Sequence, residues 1–136
     1  MAECIFCKII SGEIPSEKIY ENDKIMAFLD ISPINLGHTL VIPKAHFETI
    51  AEMPDNILAE LMAKTKMLST AITKATKADG FNIGINNGKA AGQLVPHSHL
   101  HIIPRFKEDG LKSWPGKTYA EGESKTIAEK IKKELM

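Results

Sequence analysis

Hydrophobic positions along the chain fall into short apolar segments separated by turn residues. Five of these segments are rich in apolar and β-branched residues and predict β-strands. The predicted strands are residues 18–21, 24–31, 38–42, 81–85 and 98–103. Asn22-Asp23 between the first two is a tight-turn signal and predicts a hairpin. Pro43 and Pro104 are the end signals of the third and fifth strands.

The segment between Pro54 and Gly80 has a different period, because its apolar residues recur at three- and four-residue steps. This spacing places them on one stripe of an amphipathic helix. The stripe comprises Ile57, Leu58, Leu61, Met62, Thr65, Leu68, Ile72 and Ala75. Pro54 and Asp55 are start signals, and Gly80 is the stop signal.

Two shorter helical segments flank this pattern. Residues 4–10 are long enough for one or two helical turns, and the tail from Ser124 carries Ile127, Ile131 and Leu135 four residues apart. We expect the tail helix to dock on the rest of the protein with its Lys and Glu side in solvent. The order of elements predicts an α+β fold, with an antiparallel five-stranded sheet, one long helix and a short C-terminal helix.

Composition narrows the class of protein. The chain has 136 residues, 17 Lys+Arg and 17 Asp+Glu, with 43% hydrophobic and 25% charged residues. This balance predicts a single globular domain over residues 1–136 and argues against a disordered protein. Zero net charge argues against a nucleic-acid or membrane-surface partner. No apolar run approaches the roughly 18 residues of a membrane span and no secretory signal is visible, so we expect a cytoplasmic protein.

Three histidines at alternate positions are the densest chemical signal. His97, His99 and His101 follow the period of a strand, so their rings should share one face. Leu100 and Ile102 should then enter the core beneath the long helix. Imidazole nitrogens suit both proton transfer and metal binding near neutral pH. One hypothesis is therefore that all three rings bind a single catalytic metal, as in His₃ zinc sites.

Cys4 and Cys7 form a C-x-x-C pair, which is half of a tetrahedral zinc site. The chain has only these two Cys, so the other ligands must be His. His46, just past the third strand, and His97 are the candidates. An equal alternative is two small apolar residues on a helical turn, since free Cys is often buried. A thioredoxin-like redox role is disfavoured because no strand precedes the pair.

The chain resembles the histidine triad (HIT) superfamily of nucleotide hydrolases and transferases. That family carries His-φ-His-φ-His-φ-φ, where φ is hydrophobic, and residues 97–103 read HSHLHII, with Ser98 departing at the first φ. Further matching stretches are CIFCKIISGEIP, AFLDI and GHTLVIPK, so the resemblance covers residues 4–105. The chain is most similar to the purine nucleoside phosphoramidase, or HINT-like, branch. The resemblance implies a HIT-like fold and an AMP-releasing hydrolase.

The resemblance also implies a two-step mechanism. In the family, the middle histidine attacks the α-phosphate of a nucleotide and forms a nucleotidyl-histidine that water hydrolyses, a role that falls here to His99. A backbone carbonyl orients that ring through its other nitrogen. His101 would hydrogen-bond the phosphate and the bridging atom, and His38 would lie near the same pocket. Asn86 and Gln93 would donate to phosphate oxygens, where transition-state charge develops.

A nucleoside pocket follows from the same resemblance. Asp30 would receive the ribose hydroxyls. The apolar slot for the purine would be lined by Ile5, Phe6, Ile9, Phe28 and Ile31. For Phe28 and Ile31, a place in the core is an equal alternative. Leu94 stands where phosphoramidase relatives often have a Ser that contacts phosphate, so that side-chain contact is absent here.

Zinc-bearing members of the family hold a structural zinc through two Cys, a His after the third strand and the first triad His. The resemblance therefore implies the ligands Cys4, Cys7, His46 and His97. A fully occupied tetrahedral site has no open position for water, so no catalytic metal is expected. Relatives are homodimers whose sheets join edge to edge. Residues 114–116, Trp-Pro-Gly, resemble a tail segment that reaches the partner's active site in some relatives.

The sequence leaves alternative functions open. Hydrolysis of purine nucleoside phosphoramidates is the first hypothesis. Hydrolysis of dinucleoside polyphosphates would use the same covalent step with another leaving group. A zinc-stapled nucleotide-binding module with little turnover, and a metallohydrolase built on the three triad histidines, are the other two.

Overall fold

The computed structural model describes residues 3–136 and is built on one five-stranded antiparallel sheet with strand order β1-β2-β3-β5-β4. The strands are β1 (Lys18–Glu21), β2 (Ile25–Leu29), β3 (Thr39–Pro43), β4 (Gly80–Ile85) and β5 (Leu100–Arg105). The helices are α1 (Ile5–Ile10), α2 (Asp55–Thr76) and α3 (Glu123–Leu135), with short 3-10 helices at Ile50–Glu52 and Lys89–Ala91. The predicted α+β fold class is confirmed. None of the helices among residues 3–136 is long and apolar enough to cross a bilayer.

Helix α2 covers one face of the sheet. Leu61, Leu68 and Ile72 pack there against the core that includes Leu100 and Ile102, as the alternation in the histidine segment predicts. The helix ends earlier than Gly80, because Lys77 adopts the left-handed conformation and its N–H bonds the carbonyl of Thr73. Met62 and Ala75, which were predicted on the buried stripe, are exposed.

Helix α1 packs on the opposite face of the sheet. Its Phe6 joins Met26 and Phe28 of β2 and Leu40 and Ile42 of β3 in a second apolar cluster. Cys4 caps the N-terminus of α1, and its thiol sulfur accepts a hydrogen bond from the Cys7 backbone N–H at 3.3 Å. Because this cluster draws on β2 and β3, α1 covers only that half of the face.

Strand β5 lies two residues later than predicted. His97 and His99 precede it, and Pro104 lies inside it opposite Phe81 of the edge strand β4. The Pro104 carbonyl accepts a hydrogen bond from the Asn35 side chain at 2.8 Å, on the side where β3 is absent beyond Thr39. The missing N–H of Pro104 faces the same side, so no hydrogen bond of the sheet is lost.

Helix α3 is exposed along its whole length, which contradicts the prediction of a docked tail. Ile127, Ile131 and Leu135 are 40%, 56% and 80% exposed, and no residue of α3 is buried. The amphipathic spacing is present, but the rest of the described chain does not cover its apolar side.

Candidate functional site

The three triad histidines divide between two neighbouring clusters. His97 is fully buried and its ring joins Cys4, Cys7 and His46, whereas the ring of His101 joins His38 and Asp30. His99 lies beside the second cluster, with its ring centroid 5.0 Å from that of His101. Within residues 3–136 the triad rings therefore do not converge on one point, which argues against a single catalytic metal bound by all three.

The first cluster has the dimensions of a tetrahedral zinc site. The ligand atoms of Cys4, Cys7, His46 and His97 all lie within 4.8 Å of one another. Three sulfur-to-Nδ1 distances are 3.4, 3.5 and 3.7 Å. Zinc–sulfur and zinc–nitrogen bonds of about 2.3 and 2.05 Å at tetrahedral angles place S and N about 3.5 Å apart. These three distances match those of a tetrahedral zinc site.

The surroundings of the cluster also suit a metal. His97 Nε2 donates to the Pro43 carbonyl at 2.8 Å, which leaves the Nδ1 lone pair facing the two sulfurs. Burial, reinforced by the neighbouring Cys4 thiol, raises the pKa of Cys7. Without a cation the Cys7 thiol holds its proton, and a divalent cation would displace it. The sequence prediction of these four residues as one group is confirmed.

His99 has a defined tautomer. Its Nδ1 lies 2.8 Å from the His97 carbonyl, and a carbonyl can only accept, so Nδ1 carries the proton. The Nε2 atom then carries the lone pair. The Phe6 ring packs edge-on against the imidazole at 5.0 Å, and the His99 residue is only 6% exposed. The structure thus holds a buried imidazole with one nitrogen fixed and the other available as a nucleophile.

A chain of hydrogen bonds sets the tautomer of His101. The Ile34 N–H donates to His38 Nδ1 at 3.0 Å, so neutral His38 carries its proton on Nε2. That proton points at His101 Nδ1, 2.9 Å away. Neutral His101 must therefore carry its own proton on Nε2, which is buried and has no hydrogen-bond partner within residues 3–136. These bonds occupy the facing nitrogens of the second cluster, so it is a hydrogen-bonded relay rather than a metal site.

Burial keeps the three rings of this site uncharged at neutral pH. It lowers the pKa of His101 to about 4, with the nearby His99 and His38 rings acting in the same direction. Burial also lowers the pKa of His99, which the hydrogen bond to the His97 carbonyl and the charge of Asp30 partly oppose. Burial also lowers the pKa of His38, although the charge of Asp30 partly opposes this shift.

A family model described as the HIT domain matches residues 11–108. The chain belongs to the HIT family. It is 49% identical to the adenylylsulfatase HINT3 of Arabidopsis thaliana over 109 residues, which are 80% of this chain and 55% of that protein. It is 40% identical to the adenosine 5′-monophosphoramidase HNT1 of Candida albicans over 140 aligned positions, which are 98% and 92% of the two chains.

Solved HIT-family structures share the fold. A Streptococcus mutans protein superposes with a TM-score of 0.94 at 44% identity, covering 100% of this chain and 87% of that one. A zinc-bound histidine triad family protein from Mycobacterium smegmatis superposes with a TM-score of 0.78 at 38% identity, covering 97% and 95%. The predicted family membership and the predicted HIT-like fold are confirmed.

The residues predicted around the nucleoside differ in their burial and in their contacts. Phe6 and Phe28 are buried and pack edge-to-face at 5.6 Å, so both belong to the core beside His99. Asp30 lies 3.6 Å from His38 Nε2, and its other oxygen accepts from the Ser32 N–H. Ile31 is 93% exposed and is therefore not a core residue. The remaining predicted slot residues are Ile5, which is exposed, and Ile9, which is half-buried.

The HIT resemblance implies that Gln93 donates a hydrogen bond to a phosphate oxygen, whereas in the structure its side-chain amide bonds to backbone groups. Its amide nitrogen donates to the carbonyls of Glu48 at 2.6 Å and Val95 at 3.0 Å, and its oxygen accepts from the Gly88 N–H at 2.8 Å. Both amide hydrogens are thus already used. Through these hydrogen bonds Gln93 links three loop segments around the HIT motif. Within residues 3–136 the Asn86 side chain makes only a long 3.4 Å contact to the Gly92 carbonyl, and the residue is half-buried.

Sequence reasoning missed one part of the site and one ion pair outside its two clusters. One is the Ile34 backbone N–H, which fixes the tautomer of His38 and leaves no mark in a side-chain pattern. The other is the buried Asp109 carboxylate, which pairs with Arg105 four residues earlier at 2.8 Å. The i, i+4 spacing of opposite charges is visible in the sequence, but in a strand followed by a turn it predicts no contact.

Proposed function

We propose that this HIT-family protein hydrolyses purine nucleoside phosphoramidates and releases AMP. The observation that carries the proposal is the neutral, buried His99 with its Nδ1–H held by the His97 carbonyl and its Nε2 lone pair free. The relative at 40% identity named adenosine 5′-monophosphoramidase supports the same reaction class. Three further residues complete the proposed site: His101, His38 and Asp30.

In the first step, the Nε2 lone pair of His99 forms a bond to the α-phosphorus. The phosphorus–nitrogen bond breaks, and its electron pair leaves with the amine, which takes up one proton from water. The second step is attack by water on the nucleotidyl-histidine, which gives AMP, restores the neutral ring and returns a proton to solvent. Splitting one displacement into two lowers the barrier of each.

His101 is proposed to act as a hydrogen-bond donor and not as a base. Its pKa of about 4 keeps it neutral, and its Nε2–H has no partner within residues 3–136. A donor fixed in place before the reaction stabilises charge that develops on the phosphate or on the leaving atom. His38 holds that donor in place through the 2.9 Å bond to His101 Nδ1. Asp30 is proposed to accept the ribose hydroxyls, beside Phe6, Phe28 and the other slot residues.

Asn86 and Gln93 are proposed to contribute differently at the phosphate. The Asn86 amide makes one long contact within the described part of the chain, so it remains a candidate donor to a phosphate oxygen. Gln93 acts through the loops that it joins, because both of its amide hydrogens are bound.

A structural zinc is proposed at Cys4, Cys7, His46 and His97. Zinc there would fix α1 to the backbone segment that carries His99, since Phe6 of α1 packs against both His97 and His99. The zinc-bound relative from Mycobacterium smegmatis supports the assignment. One zinc per chain is the expected content. Two free thiols arranged for a metal suit a reducing compartment, in line with the proposed cytoplasmic location.

A homodimer joined through β4 is also proposed. β4 is an edge strand that leaves Phe81 and Ile83 exposed at 42% and 41%. Exposed apolar edges are pairing sites unless they are covered. The resemblance to dimeric HIT proteins implies this edge-to-edge arrangement.

Three substrates separate the possible reactions. The protein is incubated with adenosine 5′-phosphoramidate, a diadenosine polyphosphate and adenosine 5′-phosphosulfate, with and without a mild chelator. We expect AMP release to be fastest from the phosphoramidate, to persist in chelator and to be abolished in His99→Gln. Mass spectrometry of acid-quenched wild type should detect AMP bound to His99. Thr118→Ala, in the exposed tail, is the control.

Other outcomes point elsewhere. Preference for the polyphosphate or the phosphosulfate would change the leaving group and keep the covalent step. AMP binding without turnover of any substrate would indicate a binding module. Activity retained in His99→Gln, or lost to chelator while the fold persists, would overturn the proposed mechanism.

A further inference from the structure

Asp30 is a carboxylate with no Lys or Arg partner among residues 3–136. Its backbone N–H donates to the His38 carbonyl at 2.9 Å, one step beyond the paired ends of β2 and β3. One side-chain oxygen accepts from the Ser32 N–H at 2.9 Å, and the other lies 3.6 Å from His38 Nε2. The negative charge of Asp30 therefore faces the histidine cluster and not a fixed cation.

The rings that Asp30 faces are uncharged in the resting protein. A carboxylate oxygen of Asp30 and nitrogens of His38 and His101 all lie within 4.8 Å of one another. Burial lowers the pKa values of His38 and His101, so both rings are neutral at pH 7. The Asp30 side chain is only 21% exposed, and a carboxylate that is partly buried without a cation destabilises a protein. A positive charge that arises only during the reaction would give it a partner.

The proposed reaction creates such a charge on His99. Its Nδ1 already carries a proton, which is bonded to the His97 carbonyl at 2.8 Å, and a carbonyl cannot take that proton away. When Nε2 bonds to the α-phosphorus, both nitrogens of the ring are substituted and the ring becomes an imidazolium. The positive charge develops as the bond forms and disappears when water restores the neutral ring.

We propose that the charge of Asp30 stabilises the imidazolium of nucleotidylated His99, in addition to the proposed part of Asp30 in holding the ribose. The inference rests on the proposed phosphoramidase reaction and adds a second role for one of its residues. The carboxylate acts through space and transfers no proton, so the bonds made and broken are those of the two steps above.

The size of the effect follows from the spacing of the groups. Asp30 and His101 have atoms within 4.8 Å of each other, and the ring centroids of His101 and His99 are 5.0 Å apart, which places the carboxylate about 10 Å from the His99 ring. With an effective dielectric constant of about 20, opposite charges at that distance change a rate about tenfold. Asp30→Asn keeps the shape and one oxygen and removes the charge, so it should slow the first step by that factor.

A substrate without ribose hydroxyls separates the two roles of Asp30. Adenosine 5′-phosphoramidate and its 2′,3′-dideoxy analogue are each mixed with a saturating excess of protein, and acid quenching gives the single-turnover rate at which the phosphoramidate is consumed. We expect Asp30→Asn to lower this rate about tenfold for both substrates. The dideoxy analogue should raise KM in the wild type, because only the ribose contact is lost. Asp30→Ala should match Asp30→Asn on the dideoxy analogue, and a wild-type rate there would overturn the inference.

Asp23→Asn is the control, because Asp23 carries the same charge in the exposed turn between β1 and β2. It should keep the wild-type rate, and urea unfolding shows that each variant is folded in the assay. If Asp30→Asn slows only the substrate with hydroxyls, Asp30 acts through the ribose alone; the inference is then wrong and the proposed function stands. An equal loss in Asp23→Asn would also overturn it, since that would indicate a general charge effect. If wild type cleaves no phosphoramidate, both proposals fall together.

Discussion

Replacement of His38 by Leu tests the relay that sets the tautomer of His101. In the wild type, the His38 Nε2–H donates to His101 Nδ1 at 2.9 Å, and His38 is only 2% exposed. Leu removes that donor. His101 can then satisfy its buried Nδ1 only by moving its own proton there, which turns Nε2 from a donor into an acceptor. The perturbation thus changes the tautomer of His101 without touching the ring itself.

The expected effect follows from the cost of a buried group left unpaired, about 1–3 kcal/mol. If the donor tautomer of His101 becomes less favourable by that amount, kcat for adenosine 5′-phosphoramidate falls by about 5- to 150-fold. KM should change little, because the donor acts mainly on charge that develops in the transition state. His38→Gln is the matched variant, since its amide nitrogen can replace Nε2 as the donor, and it should retain most of the activity.

Two measurements check this reasoning. Steady-state kinetics gives kcat for wild type, His38→Leu and His38→Gln, and urea unfolding shows whether each variant is folded at the assay temperature. Nitrogen NMR of the imidazoles reports which nitrogen of His101 carries the proton. A wild-type kcat in His38→Leu, or a wild-type His101 protonated on Nδ1, would refute the argument.

Three further predictions concern the metal, the pH dependence and the loops. Cys7→Ser should lose bound zinc and lower the unfolding temperature, measured by metal analysis and calorimetry; a full zinc content in the variant would contradict the ligand assignment. Burial lowers the pKa of His101 from 6.5 in the unfolded chain to about 4 in the folded protein, so the unfolded chain binds a proton more readily. The resulting contribution of up to about 3 kcal/mol to the free energy of unfolding is present above pH 6.5 and is lost as the pH falls toward 4. Urea unfolding between pH 7.5 and 4.5 checks this, and a flat free energy of unfolding would count against it. Gln93→Leu should lower the free energy of unfolding by about 1–3 kcal/mol, because the Gly88 N–H and two carbonyls lose their partner, whereas Leu94→Ser, at a 91% exposed position, should be near neutral.

Local patterns were enough to predict the elements and one of the two clusters. Period-two alternation and turn residues place all five strands to within a few residues, and three- and four-residue spacing places α2. The candidate zinc ligands could be predicted from the sequence because Cys is rare in this chain and the C-x-x-C spacing is local. Alternation also predicted correctly that Leu100 and Ile102 are buried in the core. Alternation wrongly predicted that the His97 ring shares a face with the rings of His99 and His101. The strand begins only at Leu100, and the ring of His97, which precedes the strand, lies against the cysteines.

The sequence by itself determined which residue types are present and which face of each element is apolar, since both depend on neighbours a few positions apart. Tertiary structure alone decided what each polar atom faces. The Ile34 N–H, the His38–His101 bond between residues 63 positions apart, and the tie from Gln93 to Glu48 across 45 positions carry no periodic signal. A hydrogen bond depends on distance and direction between single atoms, and those are fixed only when the sheet brings distant segments together. The same holds for α3, whose apolar spacing predicts a helix but not a surface to cover it.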